Sequence, residues 1–379
     1  MTVRRRIGTR LAAVLLALSL ALLAPVSALG KPLAPPPVKV PSAILMTMDG
    51  TVLWSRKPDV RRQTASTIKL LNALVLRDQG VSLDTTVTVP KQAAAIWDGD
   101  VGLVTGQKLT IRQLLNMMLI ASANDAALTI GIRVAGTEKA YVALMNAKAA
   151  SLGLRNTHAT DTNGLSKKER STARDLTVLA RHAMADPELA AIVRTPFVVV
   201  PRPKKKPRIL HSTDLLLGHY TGIEGVKTGF TNPAGYCFIG AALRSPVELL
   251  GVVLGAKSNK GRFSEMRKLL DWGFAHTHLQ TLVSASDTDG VVAVEGVPGA
   301  TVSVHPSVTV TRVLLDGAFD TSITLPATVT APVARGQALG HIEVGRGGVT
   351  LATVPLVSDA DVPAPSVLDG LVRMVAGWR

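Results

Sequence analysis

The spacing of apolar positions along this chain switches between the period of a strand and that of a helix. Residues 42–48 are almost continuously apolar, the turn pair Asp49-Gly50 follows, and a second run covers 51–55. Two such runs joined by Asp-Gly predict a β-hairpin. After Ser66, the residues Leu70, Leu71, Leu74 and Val75 recur at helical spacing, and further helices are predicted over 110–121, 125–134, 137–151 and 172–185. Thr110, Thr137 and Thr172 stand where N-caps belong, and Gly153 stands where a helix stops. Strands are predicted over 222–228, 236–243 and 248–254. Strands at both ends with helices between them predict an α+β fold, an antiparallel sheet carrying a helical layer.

The pattern changes near residue 280. Between 291 and 357, short β-branched runs such as Val302-Ser303-Val304 and Val308-Thr309-Val310 are broken by Gly and Pro. This predicts a separate small all-β domain over 281–362, after a main domain over 42–280. Residues 364–379 read as a helix begun at Pro365-Ser366. Val367, Leu368, Leu371, Val372, Met374, Val375 and Trp378 fall within about 160° of one face, with Asp369, Gly370 and Arg373 on the other. Such a helix either docks on the domain or lies in a membrane interface, with Trp378 and two arginines at the headgroups. At the other end, Arg4, Arg5, Arg6 and Arg10 lead into the uncharged apolar run 11–23 and the small residues Val26-Ser27-Ala28. That is the layout of a secretory signal peptide over 1–28, and the run is short of the roughly 20 residues a membrane span needs. Residues 29–41, with Pro35-Pro36-Pro37, read as an extended linker.

Composition refines this picture. Aromatics are only 3% of the 379 residues against 47% hydrophobic, so Ala, Val and Leu must fill the core. The net charge is +15, and the 1–28 segment accounts for four arginines and no acids, leaving +11. A basic exported protein suits a polyanionic cell envelope, and export argues against nucleic acid as partner. Cys237 is the single cysteine, so no internal disulfide is possible.

Three short patterns carry candidate chemistry, in this order: Ser66-Thr67-Ile68-Lys69, Ser122-Ala123-Asn124 and Lys227-Thr228-Gly229. A serine hydroxyl is a poor nucleophile until a base takes its proton. Lys69 lies one helical turn beyond Ser66 on the same face, within reach of that hydroxyl. It can act as base only if burial or a neighbouring positive charge lowers its pKa, and Lys227 is a candidate for that charge. Free N–H groups at a helix start let the Ser66 amide stabilise an oxyanion. Taken alone, Ser66 reads as an ordinary N-cap and Lys69 as a solvated lysine. Ser122-Ala123-Asn124 falls between two predicted helices, where Ser122 relays a proton and Asn124 bonds Lys69 or substrate; a polar junction capping the next helix is the plainer reading. Lys227-Thr228-Gly229 ends a predicted strand, whose edge gives a peptide main-chain hydrogen bonds. Lys227 then offers a charge for a terminal carboxylate, Thr228 a hydroxyl, Gly229 room for close approach, and Phe230 a second oxyanion N–H.

Together the ordered trio resembles the low-molecular-weight penicillin-binding D-alanyl-D-alanine carboxypeptidases. The likeness covers roughly residues 41–280 and extends to Asp161-Thr162-Asn163-Gly164-Leu165 and Ala234-Gly235-Tyr236-Cys237. It implies a β-lactamase/transpeptidase-like domain followed by the β domain, with Ser66 acylated, Lys69 as base, Ser122 and Asn124 assisting, and Lys227 and Thr228 holding substrate. Arg262 is implied as an aid to the substrate carboxylate, against the alternative of a surface arginine at a helix start. The resemblance implies a peptidoglycan pentapeptide as substrate, β-lactams as covalent inhibitors, no cofactor, an extracytoplasmic location and a C-terminal membrane contact. Phe230 stands where some relatives carry histidine, and 211–216 lacks the asparagines often found there.

Three other readings compete. A class A β-lactamase needs a Glu-x-x-x-Asn segment, and Glu169 is followed by no such asparagine. A D,D-endopeptidase acting on cross-links shares all three motifs. A wall-binding scaffold would use Arg202, Lys204, Lys205, Lys206 and Arg208, read as an exposed loop because prolines interleave them. A metallopeptidase is disfavoured, because none of the eight histidines forms His-Glu-x-x-His.

Overall fold

The computed structural model describes residues 33–365. The predicted signal peptide (1–28) and the amphipathic helix over 366–379 lie outside the described residues. Strand β1 (Ser42–Thr47) and β2 (Val52–Arg56) form the expected hairpin around Asp49-Gly50. They extend a sheet with β7 (Ile223–Thr231), β8 (Gly235–Arg244) and β9 (Val247–Ala256), in the order β2-β1-β9-β8-β7, antiparallel throughout.

Both faces of this sheet are buried, which is why its central strands read as continuous apolar runs rather than alternating ones. Ile44, Met46, Ile239, Ala241, Val252 and Leu254 point to one side. Ala43, Leu45, Phe238, Ala242, Leu249 and Val253 point to the other. The first face is covered by α1 (Lys69–Asp78), α2 (Ile111–Ile120), α3 (Asn124–Ala135), α4 (Glu138–Ser151), α5 (Ala173–Ala185) and α6 (Pro187–Val193). Thr110, Thr137 and Thr172 cap α2, α4 and α5 through their side chains, as expected. The second face is covered by α7 (Asn259–His276), capped by Ser258, with Phe263, Met266, Leu269 and Leu270 facing the sheet. Each fully buried aliphatic or aromatic side chain contributes roughly 1.5–3 kcal/mol, so the two layers fix the sheet firmly between them.

Two expectations change. Residues 36–41 are not a free linker: Val38 and Val40 are buried in the cluster under α7, and the Val38 carbonyl accepts from Arg56 Nη1 at 2.7 Å. The basic segment 202–208 is not a loop but the tip and return strand of a hairpin, β5 (Phe197–Arg202) with β6 (Lys205–His211). Its prolines stay compatible with a two-stranded ribbon, since each strand leaves one edge unpaired. A smaller ladder joins β3 (Thr86–Thr88) to β4 (Lys108–Thr110).

Among the described residues after α7, the regular elements are all strands. β10 (Thr277–Val283) pairs with β13 (Val310–Leu315). β11 (Gly290–Glu295), β12 (Thr301–Pro306), β14 (Asp320–Thr324), β15 (Thr328–Thr330), β16 (Ala338–Arg346) and β17 (Val349–Ser358) form a six-stranded sheet, order β14-β16-β17-β12-β11-β15. Its own cluster of Val292, Val294, Val302, Val304, Val344, Val354 and Leu356 is almost purely aliphatic. Among the described residues no helix is long and apolar enough to cross a membrane.

Candidate active site

Ser66 lies in a single 3-10 turn, Ala65–Ile68, that runs directly into α1. The turn begins at Ala65, whose φ of 49° is left-handed, a backbone state a non-glycine residue adopts only when its surroundings hold it there. Lys69 opens α1 and is fully buried. Its Nζ is 2.9 Å from Ser66 Oγ, 2.6 Å from the Ser122 carbonyl, 3.3 Å from Ser122 Oγ and 2.5 Å from Asn124 Oδ1. Burial lowers its pKa to about 7, while Asp161, Asp125 and Asp98 pull the other way. A substantial share of the amine is therefore free to act as a base near neutral pH. Of the two causes the sequence left open, burial and a neighbouring charge such as Lys227, loss of solvent is the dominant one.

Ser122 and Asn124 occupy the junction of α2 and α3. Ser122 has φ of 63°, a left-handed turn that aims both its carbonyl and its hydroxyl at Lys69. Asn124 is buried, and its Nδ2 donates to the Asp98 carbonyl at 2.6 Å, which leaves Oδ1 for the lysine. Lys227 approaches from the sheet. The motif Lys227-Thr228-Gly229 sits inside β7, which continues to Thr231, rather than at its end. Lys227 Nζ donates to Ser122 Oγ at 2.9 Å, so one hydroxyl bridges two buried amines. Burial pushes the Lys227 pKa well below its usual value, and Lys69 and Arg262 add repulsion.

Gly229 needs to be glycine because β7 presses against the nucleophile's turn. A Cβ there would lie 2.7 Å from the Thr64 carbonyl oxygen and 3.1 Å from the Ser66 nitrogen. The Ser66 and Phe230 amides are thus on facing segments at one end of the cleft. Phe230 is half exposed and stacks on Tyr236, 4.1 Å between centroids. Arg262, at the start of α7, is buried rather than on the surface. Its Nη1 donates to the Gly229 carbonyl at 3.0 Å, and burial lowers its pKa to about 10.

All these residues border one cleft of about 980 Å³ or lie directly beneath it. Sequence reasoning missed other parts of its wall. Thr213 Oγ1 accepts from Thr228 Oγ1 at 2.6 Å, and Asp98 and Gly99 bind Asn124 through their backbone carbonyls. Arg208 of β6 borders the cleft and donates to the Val101 carbonyl at 2.8 Å. Thr213 had no signal beyond its place in the segment already noted as unusual. Among the described residues no group of His, Cys, Asp and Glu could hold a metal ion.

A family model described as D-alanyl-D-alanine carboxypeptidase matches residues 31–258, more than half of the chain. The chain belongs to the D-alanyl-D-alanine carboxypeptidase family. A second model, the C-terminal domain of penicillin-binding protein 5, matches residues 308–364. Among curated relatives, D-alanyl-D-alanine carboxypeptidase DacB2 of Mycobacterium tuberculosis is 39% identical over 232 residues, 60% of this chain and 79% of the relative. D-alanyl-D-alanine carboxypeptidase DacC of Escherichia coli is 30% identical over 342 residues, 85% of this chain and 84% of the relative. The crystal structure of penicillin binding protein 5 from Haemophilus influenzae superposes with a TM-score of 0.68 at 25% identity, covering 87% of this chain and 99% of that one. The protein is accordingly a serine-type peptidase of the low-molecular-weight penicillin-binding group, an α+β catalytic unit with an all-β C-terminal unit. Members of this family act on peptidoglycan outside the cytoplasm.

The class A β-lactamase reading is not favoured, and Glu169 shows why. Both its carboxylate oxygens are taken by Thr64, through Thr64 N–H at 3.0 Å and Thr64 Oγ1–H at 2.7 Å. It is also fully buried and does not border the cleft.

Proposed function

We propose that this carboxypeptidase works through an acyl-enzyme on Ser66, with each motif residue in a distinct role. The observation that carries this reading is the 2.9 Å contact between Ser66 Oγ and an Nζ whose lysine is fully buried. Lys69 takes the Ser66 proton as Oγ attacks the carbonyl carbon between the two terminal D-alanines. The Ser66 and Phe230 amides receive the oxyanion. The C–N bond then breaks, and Ser122 passes a proton to the departing amine, refilled from the lysines it contacts. Water, deprotonated by Lys69, attacks the ester and releases the shortened peptide. Asn124 orients Lys69, while Lys227 and Thr228 bind the terminal carboxylate with Arg262 adding positive potential behind Gly229. β-Lactams acylate the same serine.

The same reading divides the chain into a signal peptide (1–28), a short lead-in (29–41), a catalytic domain (42–280), a β domain (281–362) and an amphipathic helix (364–379) in peripheral contact with the membrane. The enzyme then works at the outer face of the cytoplasmic membrane or in the wall.

Release of D-alanine from a diacylated Lys-D-Ala-D-Ala peptide, with Ser66→Ala alongside, tests the chemistry. Release that benzylpenicillin blocks and Ser66→Ala abolishes is the expected result. Stoichiometric penicillin labelling of Ser66 without release would move the substrate to cross-linked peptide. A folded protein showing neither would overturn the reading.

A further inference from the structure

Glu169 is wholly buried, sits outside the three motifs, and no step of the proposed chemistry uses it. Its position is specific. It belongs to the segment between α4 and α5 and reaches across 105 residues of sequence to Thr64, which immediately precedes the nucleophile's turn. Thr64 N–H donates to one oxygen of its carboxylate at 3.0 Å and Thr64 Oγ1–H to the other at 2.7 Å. The Ala65–Ile68 turn has no side-chain cap of its own. Glu169 therefore does, from another part of the chain, what the N3 carboxylate of a capping box does: it accepts the N–H of the N-cap residue.

The rest of its segment is fastened to the same stretch. Asp161 Oδ1 and Oδ2 accept from the amides of Asn163, Gly164 and Ser166, which closes the loop on itself. Gln63 Nε2 donates to the Lys167 carbonyl, and Arg62 and Ser171 exchange backbone hydrogen bonds. Gly164 lies so close that a Cβ there would be 2.3 Å from the Ala65 carbonyl oxygen. The Asn163 carbonyl lies 3.4 Å from Ser66 Oγ. The left-handed Ala65 is thus held between Thr64, which Glu169 fixes on one side, and Gly164, which lies against its carbonyl on the other.

We propose that Glu169 is a positioning residue for acylation, acting through Thr64 and Ala65 to hold the Ser66 turn in its reactive geometry. The inference rests on Ser66 being the acylated group. The ionised carboxylate accepts both Thr64 donors, one on each oxygen, whereas the protonated acid gives up an acceptor site to its own O–H and holds the turn less well. Burial raises the Glu169 pKa to about 7, and its bonds to Thr64 pull it down. The other titratable groups around it are Asp161 on its own loop, and Cys237 on β8 with Arg62 beside that cysteine. Proton uptake by Glu169 and by Lys69 then fall in the same range, and both slow the enzyme.

The test is the rate of benzylpenicillin acylation of the full chain as a function of pH, for wild type, Glu169→Ala and Glu169→Gln, with melting temperature recorded for each. Labelling of the wild type at Ser66 establishes the underlying chemistry separately. Glu169→Ala is expected to acylate about tenfold to a hundredfold more slowly, the scale on which a small displacement of a reacting group acts, while the non-covalent affinity for penicillin is retained. Glu169→Gln keeps one acceptor and one donor facing Thr64 and is expected to restore most of the rate at high pH. Below neutrality the wild-type rate should fall more steeply with acid than a single protonation gives, and the Gln variant should follow a single protonation. A folded Glu169→Ala acylating at the wild-type rate would overturn the proposal. If that variant does not fold, a Gln variant whose pH profile matches the wild type would overturn it instead.

Discussion

Lys69 is the residue on which the chemistry turns, and its state follows from burial more than from any neighbour. An amine with a pKa of about 7 is protonated at low pH and free at high pH. The sign is therefore fixed: acylation by benzylpenicillin rises as pH increases through about 7 and levels off above it. A rate flat between about pH 5 and pH 9 would remove Lys69 as base, since the free fraction of an amine with a pKa of about 7 or higher rises with pH within that window. Replacing Lys69 with alanine is expected to lower acylation by about 10²–10⁴-fold, the usual contribution of a positioned general base, as followed by stopped-flow or gel labelling. Asn124→Ala removes one of the acceptors that hold Nζ toward Ser66 and is expected to slow acylation less than Lys69→Ala, with D-alanine release as the measurement.

At the scale of elements, the site depends on β7 and the 3-10 turn touching without a side chain between them. Gly229→Ala inserts a Cβ 2.7 Å from the Thr64 carbonyl oxygen, and backbone must move to admit it. The expected outcome is a folded protein, by circular dichroism, that acylates at least about tenfold more slowly because the turn is displaced. This is also where the sequence was most and least readable. Ser66 and Lys69 are legible because three-residue spacing on a helix is local geometry. Thr110, Thr137 and Thr172 are legible for the same reason. The bridging of two lysines by Ser122 is not, because it needs a left-handed backbone and a sheet that arrives 105 residues later. The 202–208 segment was misread because its prolines and lysines masked the alternation of Phe197-Val198-Val199-Val200, where Val198 and Val200 are buried and Phe197 and Val199 exposed. Glu169 could be noticed as an acid but not assigned, since its partner Thr64 is adjacent only in the fold.

For the whole molecule, the two aliphatic clusters around the main sheet and the separate cluster of the C-terminal sheet predict unequal dependence on each other. Val313 and Leu315 of β13 pack against the cluster under α7, on the face of the sheet away from α1. Removing residues 281–379 strips those contacts, and a loss on the order of 2 kcal/mol follows from two partly buried side chains. Acylation should nevertheless stay within about twofold, since every side chain in contact with Lys69 or Lys227 comes from 63–262. Urea unfolding and penicillin labelling of the shortened chain check both halves of that statement. The bridge between Ser122 and the two lysines also bears on when the enzyme becomes an enzyme. Those groups meet only through contacts spanning 53 and 105 residues, and such distant contacts are the slow ones in folding. A nascent or unfolded chain carries a serine and lysines no more reactive than those of any peptide. Hydrolytic competence comes with the closing of the catalytic fold, when the contacts among Lys69, Ser122 and Lys227 form.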